Sequence, residues 1–134
     1  MNILIIDSDD MVRRNLPLSF RQYFSGAFVK TAHNFKSVEL ALKENIFDIV
    51  FIDMDMEDIT ERMSKYDYVA GIVWIVLNTP SKNGEVVMLT HKVPTDPILQ
   101  WGVKRWLNKQ DIFISPMAVN QIKTDFTVEP LSYK

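Results

Sequence analysis

The sequence predicts an α/β fold, a parallel β-sheet with helices on both faces, and three observations carry that reading. Residues 3–6 (ILII) and 49–52 (IVFI) are continuous apolar runs that each end on an aspartate. Such runs mark strands covered on both sides, as in parallel sheets. Apolar residues at helical spacing follow these runs, and the two patterns alternate along the chain. At 134 residues the chain has room for one domain with a full core.

The first strand, rich in isoleucine, ends at Asp7. Val12, Leu16, Phe20 and Phe24 then share one helical face, with Asp9 or Asp10 able to cap the start and Gly26 suited to the stop. Pro17 lies inside this helix and is expected to kink it. Residues 27–32 form a short second strand. Residues 34–46 form a second helix with Val38, Ala41, Leu42 and Ile46 aligned. The third strand, 47–53, runs into Asp53 and Asp55. Residues 57–67 are polar and without period, which suggests a flap beside the strand end. Residues 69–80 read as a helix ending at Pro80, residues 85–90 as the fourth strand and 103–109 as the fifth. The segment between those strands holds only a stunted helix. Ser115 followed by Pro116 marks the start of a last helix through Val119, Ile122 and Phe126. Residues 1–126 therefore form the domain, and 127–134 read as a tail or the stump of a linker. Trp74 and Trp101 are expected to pack in the core or at its edge, and His33 to lie on the surface.

Composition narrows the function. A formal net charge of −2 offers no basic face for nucleic acid. No window is long and apolar enough to span a bilayer, and the N-terminus lacks the basic-then-apolar order of a signal peptide. The absence of cysteine excludes disulfides and thiolate chemistry and is compatible with a cytoplasmic location.

Ligands of open α/β sheets bind at the carboxyl ends of the strands. Asp7, Asp53, Thr90 and Lys109 all stand at such ends. Each alone has an ordinary explanation: an aspartate after a strand is commonly a turn or cap residue, and a lysine is commonly solvated. Together with Asp9 and Asp55 they suggest a site. Converging carboxylates repel one another unless a cation lies among them, and hard oxygen ligands open to water suit Mg²⁺. A carboxylate beside Mg²⁺ can accept a phosphoryl group, and a lysine and a hydroxyl at neighbouring strand ends would stabilise its oxygens.

At these residues the sequence resembles the receiver domains of two-component response regulators over nearly its whole length. "ILIIDSDDMVRRNL" resembles the family's first strand, acidic pocket and first helix, with Arg13 at the usual spacing. "FDIVFIDMDM" resembles the phosphoacceptor strand, "VVMLT" the fourth strand and "GVKRWLNK" the fifth. The resemblance implies a CheY-like, flavodoxin-like doubly wound three-layer sandwich with a five-stranded parallel sheet of order 2-1-3-4-5. It implies Asp53 as phosphoacceptor, Thr90 as the switch hydroxyl, Lys109 as the phosphate-contacting lysine and Trp106 as the switch aromatic. Mg²⁺ would be held by Asp7, Asp9, Asp53 and Asp55. The implied partners are a sensor histidine kinase or phosphotransfer protein and a downstream protein or output domain, with a homodimer also open. Direct nucleic-acid or membrane binding is not implied. Nor is an enzyme in the turnover sense, beyond self-phosphorylation and slow autophosphatase activity.

The chain also departs from the family. Ser8 stands where the second acid of the family's pair would touch the metal, so Asp9 or Asp55 would have to supply that charge. Glu57 and Asp58 replace the usual Pro-Gly turn. About ten extra residues precede Gly71, which resembles the glycine opening the third helix. The segment from Thr90 to Gly102 is about one helical turn short. His91 occupies a normally small position, and Gln110 replaces a proline. Two rivals follow: a receiver fold that works only as a binding module without phosphorylation, and a haloacid dehalogenase-like phosphatase using Asp53 and Asp55. In the latter class the motif normally lies on the first strand.

Overall fold

The structure, a computed structural model, describes residues 1–56, 60, 62–79, 84–91, 102–103 and 105–114. Among the described residues nine elements follow in order: β1 (Asn2–Ile6), α1 (Asp10–Tyr23), β2 (Phe28–Ala32), α2 (Phe35–Glu44), β3 (Ile49–Asp53), α3 (Lys65–Leu77), β4 (Glu85–Thr90), β5 (Arg105–Asn108) and α4 (Lys109–Ile114). The five strands form one parallel sheet of order β2-β1-β3-β4-β5, as the sequence leads one to expect.

Side-chain alternation along the strands splits the core into two layers. Leu4, Ile6, Val50, Ile52, Met88 and Trp106 face α2 and α3, meeting Val38, Ala41 and Leu42 and then Val69, Ile72, Val73 and Val76. Ile3, Ile5, Phe51, Val87, Leu89 and Leu107 face the other way, onto Val12, Leu16 and Phe20 of α1 and Ile112 of α4. Phe20 stacks on Phe51 at 5.5 Å between ring centres. The chain is thus a three-layer sandwich.

Local signals set the helix ends. Asp9 caps α1 by accepting from the Met11 amide at 2.9 Å. Asn34 and Ser37 form a reciprocal capping box at the start of α2. α1 is one continuous helix through Pro17, which denies the Arg13 carbonyl its usual donor without ending the helix. Gly26, at φ 77°, turns the chain toward β2 in a conformation costly for other residues.

Several expectations are corrected. α2 ends at Glu44, and the extended backbone of Asn45 carries Ile46 off the buried face, leaving it exposed. α3 opens at Lys65 rather than 69, because the Ser64 hydroxyl accepts from the Asp67 amide at 3.1 Å. Gly71 therefore lies inside α3 and does not open it. A Cβ there would stand 2.8 Å from the Phe35 ring, so a bare backbone is needed for α2 and α3 to pack. Trp74 is not in the core; it is 66% exposed. A helix begins at Lys109, six residues before the expected one, with Asn108 accepting from the Gln110 amide at 2.9 Å. The expected helix after Ser115, the stunted segment after His91, Trp101 and residues 57–59 and 61 of the expected 57–67 flap lie outside the described residues, and residues 65–67 of that flap belong to α3 instead. Among the described residues no helix is long and apolar enough to cross a membrane.

Candidate functional site

The parallel register assembles the site. Ile6 pairs with Ile52, Asp53 with Leu89, and Thr90 with Asn108, so Asp7, Asp53, Thr90 and Lys109 come out at the same edge of the sheet. All four are buried, Asp7 completely. That is unusual for charged groups unless they are paired.

Lys109 supplies the pairing. Its Nζ lies 2.8 Å from Asp7 Oδ2 and 3.3 Å from Asp53 Oδ1. Backbone amides hold the other carboxylate contacts: the Asp9 amide donates to Asp7 Oδ1 and the Asp55 amide to Asp53 Oδ1, both at 2.9 Å. Although the lysine sits close to it, Asp7 Oδ2 receives no well-directed hydrogen bond. Arg13 braces the same turn by donating to the Asp7 carbonyl at 2.9 Å.

Two buried carboxylates facing one ammonium leave one negative charge in excess. Burial first, then repulsion from Asp7, pushes the Asp53 carboxyl up to about 7, although the Asp55 amide and Lys109 pull the other way. Burial works against the charge on Lys109, but the close approach and negative charge of Asp7 and Asp53 outweigh that. Its pKa is raised above the ordinary lysine value.

The other acids predicted for the site are engaged elsewhere. Asp9 is spent on capping α1, and Asp55, at the surface, pairs with Lys65 at 2.8 Å. Among the described residues no three His, Asp or Glu side chains gather closely enough to hold a metal ion. The four-carboxylate cluster is thus reduced to Asp7 and Asp53, because hydrogen-bonding and charge partners in the adjoining turns claim the other two. Ser8 and His91 are exposed. Sequence reasoning missed Lys65 as the partner of Asp55; Ser64 as a cap with Asp67 three residues on was the available signal.

Neither models of protein families nor curated protein sequences match this chain. Solved structures do. The signal receiver domain of a DNA-binding response regulator from Colwellia psychrerythraea 34H superposes with a TM-score of 0.65 at 21% identity, covering 90% of this chain and 96% of that one. The receiver domain of RcsB from Salmonella enterica serovar Typhimurium, solved with the phosphomimetic BeF3−, gives 0.62 at 17% identity over 96% and 93%. A response regulator from Burkholderia pseudomallei, carrying a phosphorylated aspartic acid and a calcium ion, gives 0.58 at 16% identity over 85% and 65%. The chain has the CheY-like fold of response-regulator receiver domains, and many structural neighbours covering most of it are such domains.

Proposed function

We propose that the chain is a phosphoryl-accepting receiver domain whose acceptor is Asp53. The observation that carries this reading is the buried Asp7–Lys109–Asp53 contact at the edge of the sheet. An Asp53 oxygen attacks the phosphorus of a phosphohistidine on a kinase or phosphotransfer protein. The new O–P bond forms as the P–N bond breaks, and the imidazole leaves with the electron pair. Lys109 Nζ, already beside the acceptor oxygen, neutralises a phosphoryl oxygen as it arrives. The Thr90 hydroxyl, buried one residue beyond the partner of Asp53, is placed to bond another.

Attack requires ionised Asp53, and a carboxyl pushed up to about 7 is only partly ionised at neutral pH. The site has the features that suit a divalent cation: excess negative charge, hard oxygen donors, and an Asp7 oxygen without a well-directed hydrogen bond. Asp7 and Asp53 would hold Mg²⁺. When bound, the ion supplies the positive charge that keeps Asp53 ionised and screens the incoming phosphoryl oxygens. The calcium ion and phosphorylated aspartate of the Burkholderia protein support this reading by likeness of fold. The output would be a change at a protein-binding surface read by a downstream protein or domain, in a cytoplasmic setting.

The test exposes the purified chain to acetyl phosphate and Mg²⁺ and follows intact mass. A stable, base-labile gain of one phosphoryl group, absent in Asp53→Asn, is expected. Undiminished labelling of Asp53→Asn would move the acceptor elsewhere. Rapid turnover without accumulation would indicate a phosphatase, and no labelling a pure binding module.

A further inference from the structure

A groove of about 640 Å³ runs between α2 and α3, away from the acceptor. The last seven residues of α3, 71–77, are all apolar. Helices apolar on every side are normally covered on every side. Here Ile72, Val73 and Val76 are covered, whereas Trp74 and Leu77 are exposed, as is Leu40 on α2 at 53%. Trp74, Ile75 and Leu40 line the groove and give it an apolar centre.

Charge frames that centre. Lys36 and Lys43 also line the groove, seven residues apart on one face of α2 and hence about 10 Å apart along its axis. Among the described residues neither forms an ion pair, and nearby Glu44 is engaged by Lys30 at 3.1 Å. Glu39 lines the groove between them, likewise without an ion pair, and disfavours a ligand carboxylate at the middle. The surface thus presents positive charge, an apolar centre beside the single carboxylate of Glu39, and positive charge in order.

From this juxtaposition we infer that the α2–α3 groove docks an amphipathic helical segment of a partner protein, acidic at both ends of its contact face. Its apolar residues cover Trp74 and Leu40, and its carboxylates meet Lys36 and Lys43. A concave slot accepts the side-chain ridge of a helix. An exposed tryptophan in its lining is the residue type that most often dominates such contacts. Paired lysines at a fixed spacing select an acidic helix over a basic one. This inference does not depend on phosphorylation of Asp53.

The experiment uses a display library of amphipathic helical peptides, apolar on one face and randomised elsewhere, selected on the full chain. Acidic residues should be enriched at both flanks. By fluorescence anisotropy, the selected peptide should bind Trp74→Ala about tenfold or more weakly. The Lys36→Glu/Lys43→Glu variant should lose a similar factor, and a peptide with its acids changed to lysine should regain it. Leu40→Ser provides a second variant of the apolar centre should Trp74→Ala fail to fold. The inference is overturned if no sequence is selected, if neutral or basic flanks are enriched, or if neither apolar variant weakens binding. It is also overturned if Trp74 instead drives self-association in sedimentation velocity or binding to phosphatidylserine vesicles.

Discussion

Asp53→Asn should make the domain more stable, by an amount that grows with pH. In the folded chain the Asp53 carboxyl is pushed up to about 7 from an ordinary 3.8. Below pH 3.8 the carboxyl is protonated in both states and costs nothing. Between the two values the folded state holds a proton that the unfolded state releases, so stability falls as pH rises. Above about 7 the penalty is constant. At about 1.4 kcal/mol per pH unit, the full penalty is about 4 kcal/mol, and at pH 5 less than half of that. Asparagine removes the charge while keeping an oxygen that can accept from the Asp55 amide and Lys109. Urea denaturation in a chelating buffer should give a higher midpoint for Asp53→Asn at pH 8, by roughly 2 M if the slope is about 2 kcal/mol per M. The gain at pH 5 should be less than half as large. A gain independent of pH, or a loss at pH 8, would refute the electrostatic reasoning, because it would mean that Asp53 titrates normally in the folded chain.

The remaining expectations concern neighbours of this group. Lys109→Ala should leave Asp53 labelled only slowly and raise its pKa further, since the lysine holds it down; a carbon-13 NMR titration showing no upward shift would disprove this. It should also uncouple labelling from amide shifts elsewhere, so parent-like shifts on phosphorylation would exclude the switching role of Lys109. Ser8→Asp should tighten Mg²⁺ binding by about 1–2 kcal/mol, roughly tenfold, after dehydration and repulsion offset most of the added attraction; unchanged affinity by calorimetry would show that the site does not need that charge. Gly71→Ala should destabilise the fold by about 1–3 kcal/mol, because its methyl would crowd the Phe35 ring at 2.8 Å. Phe35→Leu in the same chain should recover part of the loss; no recovery in thermal denaturation would place the strain elsewhere.

The sheet was legible because its signals are local and redundant. Residues 3–6, 49–52 and 86–89 are apolar on both faces, and only a central parallel strand accommodates that. The proximity of Asp7, Asp53 and Lys109 was legible because strand ends in this topology lie side by side. Asp9 and Asp55 were not, since whether a carboxylate reaches the site or turns to a neighbour depends on single turns. An amide two residues on claims Asp9, and a lysine ten residues on claims Asp55. Gly71 was misread for a related reason. A glycine inside a helix looks like a boundary until the ring packed over it, Phe35, is known. The exposure of Trp74 was equally hidden, because uniform hydrophobicity along α3 does not reveal which side remains uncovered.

Asp7 and Lys109 are separated by about a hundred residues, and their contact has a kinetic consequence. A partly folded chain that has paired β1, β3 and β4 but not β5 already brings two carboxylates together with no cation beside them. Such an intermediate can relieve the repulsion by protonating Asp53, which makes it a poor nucleophile. Docking of the last strand delivers Lys109, which pulls the Asp53 carboxyl back down and lessens that need. Under the proposed function, competence to accept a phosphoryl group would then rise as the sheet is completed, leaving unfinished chains poorer acceptors.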